Sequence, residues 1–381
     1  MRRGRCYNNN PMSFLNRRRF LFLSSRASIL AAGAGLLHGA AWAFPSDLGV
    51  PRGRSAEKIR GFPFEELDSF LTPTDKFFLR SHLEIPVIEP KSYRLRIGGW
   101  VERPYTLGLS DLERGSRDSL AVTFECSGSA VGGGMVSTAQ WSGVPLWPLL
   151  EKAKPRSGAV EVVMEGADAG LDELVPVPVQ YGRSVPVSVL KELPAMLAVA
   201  MNGEALRPEH GFPVRVIIPG LYGVQNVKWL AALTVVNRPY AGFYQTQRYV
   251  GLRRTEEGVR MEEILRQRVK SQIARVVPRP EAGRGAYRVN GAAWSGGRHV
   301  VQVEVSTDGG RRWGKAVLSP AVNAYSWVLW SHDFSATPGS HEVVARATDN
   351  FGRTQPLERD ASVLTGYVNN WCDRKVFTVP A

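Results

Sequence analysis

The stretch HGFPVRVIIPGLYGVQNVKWL, residues 210–230, places two cationic side chains in an otherwise apolar, β-prone run. Arg215 lies within PVRVII, where a buried arginine needs a partner for its charge. Lys228 stands directly before Trp229, and a lysine at such a position can also extend from a strand to the surface. The commonest fate of an arginine is a surface ion pair. This stretch alone therefore leaves both a binding role and a structural role open.

A second stretch, TFECSGSAVGGG at residues 123–134, delivers Cys126 from a β-prone run into small residues. This pattern predicts a sulfur at a strand end, where a thiolate suits a metal and the small residues let a bulky cofactor approach. The alternative is a free cysteine that packs as a small hydrophobe. The chain has three cysteines, and their positions predict neither a disulfide framework nor a zinc module. Pairing of Cys126 with Cys372 stays open for an oxidising compartment.

Residues 1–43 have the composition of an export signal. Arg17 and Arg18, followed by apolar residues, match the twin-arginine type, and the A-x-A-like end at 41–43 predicts cleavage there. A membrane anchor is the alternative, but Arg26 interrupts an already short apolar run. The sequence therefore predicts a periplasmic protein without stable membrane insertion.

The charge balance favours small anionic or sulfur-containing ligands over nucleic acid. Removal of residues 1–43, which carry seven arginines and no acidic residue, would lower the formal net charge from +13 to +6. No Lys/Arg tract interleaved with aromatic residues follows, so we expect no nucleic-acid partner. The sequence also has no G-x-G-x-x-G, no phosphate-binding loop motif and no C-x-x-C-H haem attachment.

The secondary-structure patterns predict an α+β class for residues 44–255. SYRLRIGGWV (92–101) alternates as a half-buried strand does, whereas LWPLLEKA (146–153) and VSVLKEL (187–193) favour short helices. No alternation of strand and helix typical of nucleotide-binding folds is visible. The charged segment 251–285 is interpreted as a connector.

Residues 256–381 are predicted to form an all-β domain that begins with the connector. VVQVEVSTDGGRRW (300–313) alternates in period two and then turns at Asp308-Gly309, a strong hairpin signal. Short strands and polar turns continue to the end of the chain. This pattern predicts an immunoglobulin-like sandwich domain.

Several motifs together resemble the sulfite oxidase family of molybdopterin-dependent oxidoreductases. They are LTPTDKFFLRSHLEIP (71–86), the Cys126 stretch, STAQWSGVPLWPLL (137–150), the opening stretch and STDGGRRW (306–313). The resemblance implies molybdenum and molybdopterin as cofactors. Because the sequence shows neither a C-x-x-C-H motif nor a fused haem-binding domain, we expect no haem in this chain. The resemblance also implies a mixed molybdopterin domain followed by a dimerisation-type domain, and hence a homodimer.

The resemblance assigns site residues by position. It implies Cys126 as the metal ligand, and Arg80 and Tyr249 as catalytic residues. The implied cofactor-binding residues are Phe78, Arg80, His82, Asp168, His210, Arg215, Asn226 and Lys228. Taken one at a time, the histidines would more often be structural and the tyrosine a packed aromatic; their joint order favours the binding roles.

The resemblance implies oxidation of sulfite, or of a related sulfur compound, by oxygen-atom transfer, with electrons passed to an external c-type cytochrome. One departure concerns residues 129–134, a short neutral loop where family members carry an Asn-Arg pair. We therefore expect weak sulfite binding and room for a larger substrate. The alternatives are a relative acting on sulfane sulfur or a sulfoxide, and a non-catalytic exported binding protein.

Overall fold

The structure is a computed structural model that describes residues 57–115 and 117–380. The predicted export signal lies outside the described residues. The strands of the first part are β1 (Ile59–Arg60), β2 (Leu79–Arg80), β3 (Arg94–Gly99), β4 (Tyr105–Gly108), β5 (Asp118–Glu125), β6 (Val136–Pro145), β7 (Glu161–Leu171), β8 (Pro178–Pro186), β9 (Met196–Met201), β10 (Glu204–Ala205), β11 (Arg215–Ile217) and β12 (Leu230–Val236). Its helices are α1 (Leu109–Arg114), α2 (Leu146–Ala153) and α3 (Val187–Glu192).

Two five-stranded sheets organise this first part. One has the order β10-β9-β6-β5, with β11 also paired to β9, and the other has the order β4-β3-β12-β7-β8. Strands β3 and β12 run parallel, and the other neighbours are antiparallel. Strands β1 and β2 form a separate pair. Strands with a few short helices agree with the predicted α+β class.

Helices α2 and α3 form where the sequence predicts them. In α2 the buried side chains are Leu146, Leu150 and Ala153, which fall on one face at helical spacing. Lys154 then adopts a left-handed conformation, with φ of 55°, and ends the helix. The buried face packs into a cluster that includes Leu95 of β3.

In the second part, every described regular element longer than a single helical turn is a strand. Its strands are β13 (Gly251–Thr255), β14 (Gly258–Glu262), β15 (Lys270–Pro278), β16 (Ala286–Trp294), β17 (Val300–Ser306), β18 (Gly314–Lys315), β19 (Val317–Leu318), β20 (Val328–Ser335), β21 (Gly339–Asp349) and β22 (Asp373–Val379). Two antiparallel sheets, β15-β16-β20-β19 and β18-β17-β21-β22, share one apolar cluster. The observed two-sheet packing is that of a sandwich, while the immunoglobulin-like assignment stays a prediction.

The connector predicted at 251–285 is wrong over most of its length, because residues 251–262 form a hairpin and strand β15 occupies Lys270–Pro278. Strands β13 and β14 pair as a hairpin, because the chain reverses at residues 256–257 and Gly258, with φ of +119°, starts the second strand. The Arg254 N–H then donates to the carbonyl of Ser362 at 2.7 Å. The hairpin therefore packs against the C-terminal region, and the boundary predicted at 255/256 falls in its turn.

Aromatic residues fill the contact between the two parts. Phe62, Phe64 and Val136 pack with Trp294 and Trp327 of the second part in one buried cluster. Within the described residues, no helix is long and apolar enough to cross a membrane.

Candidate active site

A cleft of about 700 Å³ collects the predicted site residues. It is lined by side chains from β2, the turn after β5, β7, β11 and the loop before β12. All ten residues implied by the resemblance line it, namely Phe78, Arg80, His82, Cys126, Asp168, His210, Arg215, Asn226, Lys228 and Tyr249. Residues separated by up to 171 positions thus meet in one place, although the roles assigned to them stay predictions.

Cys126 lies one residue beyond β5, as the sequence predicts. Its N–H donates to the carbonyl of Met135 at 2.9 Å, and its own carbonyl accepts from the Ser129 N–H at 2.9 Å. The side chain is partly exposed and lines the cleft, and burial raises the pKa of its thiol. Cys372 is also free, so the two cysteines do not pair. The sulfur is therefore a presented thiol at a strand end.

Arg215 is buried without a carboxylate. Its guanidinium donates to the backbone carbonyls of His210 at 3.0 Å and Asn226 at 3.1 Å, and it lies over the rings of Phe124 and Trp141. Within the part of the chain that the structure describes, the Arg215 Nε has no hydrogen-bond partner. Burial lowers its pKa to about 9, so the group keeps its charge at pH 7. A buried cation with an unused donor is suited to an anionic or acceptor-bearing ligand.

Lys228 and Asp168 form a second polar corner of the cleft. The Lys228 ammonium donates to Ser81 Oγ at 2.6 Å and to the Glu209 carbonyl at 3.0 Å. Burial lowers the pKa of Lys228, while burial raises the pKa of Asp168. Asp168 Oδ1 is buried and accepts no hydrogen bond from residues 57–115 or 117–380. The Lys228 side chain therefore does not extend to the surface, and Asp168 Oδ1 can accept a hydrogen bond from a ligand.

The polar side-chain atoms of His210 and Asn226 form hydrogen bonds with backbone groups of the protein. His210 Nε2 donates to the Thr74 carbonyl at 3.0 Å, and burial lowers the pKa of this imidazole to about 3. The Asn226 amide accepts from the Ile218 N–H at 2.6 Å and donates to the Tyr222 carbonyl at 3.1 Å. Both ends of that amide are engaged, so Asn226 braces the loop that holds Arg215.

Arg80, His82 and Tyr249 line another part of the cleft. Among the described residues, no side chain pairs with the Arg80 guanidinium, which leaves its donors available. His82 Nε2 and the Tyr249 hydroxyl are 2.6 Å apart. Burial and the Arg80 charge lower the pKa of His82 to about 3, so the imidazole is neutral at pH 7.

Asp172 and Arg248 support this corner, and the sequence reasoning missed both. Asp172 Oδ2 is 3.9 Å from His82 Nδ1 and accepts from the Tyr244 hydroxyl at 3.0 Å. Although burial opposes it, hydrogen bonds from Leu174 N–H and Tyr244 and the charge of Arg248 hold the pKa of Asp172 below its usual value. The carboxylate favours a proton on Nδ1, so that Nε2 accepts from the Tyr249 hydroxyl. Arg248 adjoins Tyr249 in the sequence, but its ion pair spans 76 positions and leaves no local signal.

The interpretation of residues 129–134 requires correction. None of the six lines the cleft, so the neutral loop does not set its charge. Cβ atoms built at Gly134 and Gly132 would lie 2.2 Å from the Phe62 carbonyl oxygen and 3.0 Å from Asp373 Oδ1. These glycines permit close packing against neighbouring chain segments rather than the approach of a cofactor. Cationic side chains in the cleft come instead from Arg80, Arg215 and Lys228.

The unused polar atoms decide whether the predicted cofactor suits this cleft. Arg215 Nε is a buried donor without a partner, and Asp168 Oδ1 is a buried acceptor without one. Buried polar groups are rarely left unpaired, so the site is built for a ligand that has both acceptors and N–H donors. A pterin ring with a phosphate arm has both, and Cys126 adds a soft ligand for a metal. The residues present therefore fit molybdopterin.

The comparisons with known proteins agree with this chemistry. Residues 82–244 match the oxidoreductase molybdopterin binding domain, and residues 264–379 match the Mo-co oxidoreductase dimerisation domain. Sulfite oxidase of Gallus gallus is 35% identical over 327 residues, covering 76% of this chain and 69% of that protein. Mitochondrial sulfite oxidase of Rattus norvegicus is 31% identical over 320 residues, covering 76% of this chain but 58% of that protein.

A solved structure is similar over nearly the whole length. The crystal structure of the sulfane dehydrogenase SoxCD from Paracoccus pantotrophus superposes with a TM-score of 0.74 at 26% identity, covering 94% of this chain and 98% of that chain. Fold and site together define a molybdopterin-dependent oxidoreductase. The chain belongs to the sulfite oxidase family.

Proposed function

We propose that this protein oxidises sulfite, or a closely related sulfur compound, and passes the electrons to an external c-type cytochrome. The observation that carries the proposal is that the free thiol of Cys126 and the guanidinium of Arg80, which has no side-chain partner among the described residues, line the same cleft. When bound, the molybdenum–pterin group would supply two-electron oxygen-atom transfer. Sulfite and water would give sulfate, two protons and two electrons, and two ferric cytochromes would each accept one electron.

The chain's own residues would divide the work of binding. Arg215 and Lys228 would hold the anionic arm of the cofactor, and Asp168 would accept hydrogen bonds from its pterin ring. Cys126 would supply the metal's thiolate. Arg80 would hold the substrate anion through forked, charged hydrogen bonds. The Tyr249 hydroxyl, oriented by His82, would lie near the transferred oxygen.

A second candidate is supported by one specific observation. The structural similarity to the sulfane dehydrogenase extends over 94% of this chain and 98% of that chain, with a TM-score of 0.74. Sulfane sulfur is therefore the alternative substrate, with a sulfoxide as the reductive variant. Steady-state rates with sulfite, a polysulfide and methionine sulfoxide separate the three.

One experiment tests the main proposal. Purified protein should contain close to one molybdenum per chain and should reduce ferricytochrome c in a sulfite-dependent manner. Protein that contains molybdenum but reduces cytochrome c only with the polysulfide would establish the alternative substrate. Protein without molybdenum or any reductase activity would favour the non-catalytic binding protein.

Location and assembly are part of the same proposal. We expect export through the pair Arg17-Arg18, with the mature chain beginning near Phe44 and forming a homodimer through the region matched by the dimerisation family. Lysine at both arginines should leave the enzyme in the cytoplasm, which cell fractionation would detect. Sedimentation equilibrium at micromolar concentration should give twice the mass of the mature chain, and a monomer would refute the dimer.

A further inference from the structure

The turn that carries Cys126 is held from outside by residues of the second part. We call residues 125–134 the thiolate loop. Lys270 Nζ donates to Glu125 Oε1 at 2.8 Å and Trp294 Nε1 donates to Glu125 Oε2 at 3.0 Å. Both oxygens of this buried carboxylate, one residue before Cys126, are thus bound by β15 and β16.

Backbone carbonyls on the other side of Cys126 are held in the same way. The Val368 N–H donates to the Ser127 carbonyl at 2.7 Å, and Asn369 Nδ2 donates to the Ser129 carbonyl at 3.0 Å. Gln272 Nε2 donates to the Gly133 carbonyl at 3.0 Å. The loop therefore has fixed points before, within and after the turn that presents the sulfur.

The backbone of Val368 supports a positioning role. Its φ is 55°, which is uncommon for a β-branched residue because the side chain crowds the backbone in the left-handed region. Such conformations persist where the surroundings over-determine them, and they concentrate at functional sites. Here the strained residue is the one whose N–H bonds to the carbonyl next to Cys126.

We propose that the C-terminal region positions the Cys126 thiolate, with Lys270, Val368 and Asn369 as positioning residues of the active site. The proposal rests on the proposed function, since it assumes that Cys126 binds the metal. It assigns the second part a task beyond dimerisation: it fixes the direction of the sulfur. Loosening the contacts should lower kcat more than it raises KM, because the substrate-binding Arg80 lies on β2 and not on this loop.

The test uses the full-length protein prepared without cofactor and measures alkylation of Cys126 by iodoacetamide under native conditions. Asn369→Ala should accelerate alkylation about 3- to 10-fold, the loss expected for one hydrogen bond. Lys270→Met should accelerate the alkylation of Cys126 further, whereas Lys270→Arg, which keeps the positive charge, should retain the slow wild-type rate. Buried Cys372 in the same molecule reports any global loosening.

Asn323→Ala is the matched control. Asn323 also reaches across from the second part, but it donates to the Ala121 carbonyl at 3.1 Å, five residues before Cys126. In the Asn323→Ala variant, the alkylation rate of Cys126 should stay within about twofold of the wild-type rate. Equal acceleration by Asn369→Ala and Asn323→Ala, or none with Asn369→Ala and Lys270→Met, would overturn the proposal. Both outcomes are measured in protein without cofactor. They therefore do not depend on whether Cys126 binds the metal.

Discussion

At the scale of single residues, the Tyr249 hydroxyl owes its direction to a chain of partners. It lies 2.6 Å from His82 Nε2, while His82 Nδ1 faces Asp172 at 3.9 Å. Asp172 is in turn paired with Arg248. The charge of Asp172 fixes the imidazole tautomer, and the imidazole then orients the phenol.

Tyr249→Phe should therefore slow turnover while the molybdenum content stays unchanged. A hydroxyl near a developing oxyanion contributes about 2–4 kcal/mol, which is roughly 10²- to 10³-fold in kcat. Tyr367→Phe is the control, because its ring lies 5.3 Å from Tyr249 but its hydroxyl donates to the Arg248 carbonyl. Steady-state kinetics with sulfite compare the two. A fully active Tyr249→Phe variant would remove the tyrosine from the mechanism.

At the scale of elements, the turn between His210 and β11 sets the distance between two cations. Gly211 has φ of +107°, and a Cβ there would lie 3.1 Å from the Cβ atoms of both Arg215 and Lys228. The absence of a side chain lets the turn fit between the two cationic residues. This glycine is therefore required for both its conformation and its space.

Gly211→Ala should lower the free energy of unfolding by about 1–2 kcal/mol through left-handed strain alone. Displacement of the two cations should also reduce cofactor retention, measured as molybdenum per chain. Gly203→Ala separates the effects, because Gly203 has φ of +85° but nothing within 4 Å of its Cβ position. That control should lose stability and keep its molybdenum. Equal molybdenum content in both variants would refute the spacing role.

Elements with a local cause could be predicted from the sequence. Helix α2 follows from its buried Leu146, Leu150 and Ala153, and the thiol at the end of β5 follows from the change to small residues. The ten residues that the resemblance assigns to the site all line the cleft. The helix and the position of the thiol depend on residues close in the sequence, and the ten site residues were found from the order of the family's motifs.

Features that depend on distant contacts could not be predicted. The charged residues of β13 and β14 show no apolar alternation, so the sequence predicts a connector there. The contacts that hold this hairpin are made with residues near Ser362, far along the chain. The glycines of the thiolate loop were attributed to cofactor approach, but they pack against Phe62 and Asp373. Asp172 and Arg248 pair across 76 positions. Long-range packing decided each of these cases.

At the scale of the whole molecule, two buried neutral histidines make stability depend on pH. The pKa values of His82 and His210 are about 3, against 6.5 in the unfolded chain. Between pH 6.5 and 3 the unfolded chain therefore binds more protons, and the free energy of unfolding falls as the pH falls. The slope fades as the pH rises above 6.5, because the histidines of the unfolded chain then lose their protons as well.

Urea unfolding of cofactor-free protein between pH 7 and 5 should show this loss. Each histidine contributes up to about 1.4 kcal/mol per pH unit below its unfolded pKa. His210→Gln should reduce the slope by that amount, while the contribution of His82 should remain. A slope that His210→Gln does not alter would mean that His210 is protonated in the folded protein.

The central claim is that Cys126 supplies the thiolate that holds molybdenum in this cleft. X-ray absorption at the molybdenum edge of the Cys126→Ser protein tests it most directly, with Cys372→Ser as the control because Cys372 is buried away from the cleft. We expect one fewer sulfur neighbour around molybdenum in Cys126→Ser, together with loss of turnover, and an unchanged sulfur count in Cys372→Ser. An unchanged sulfur count in Cys126→Ser, with turnover near that of wild type, would contradict it.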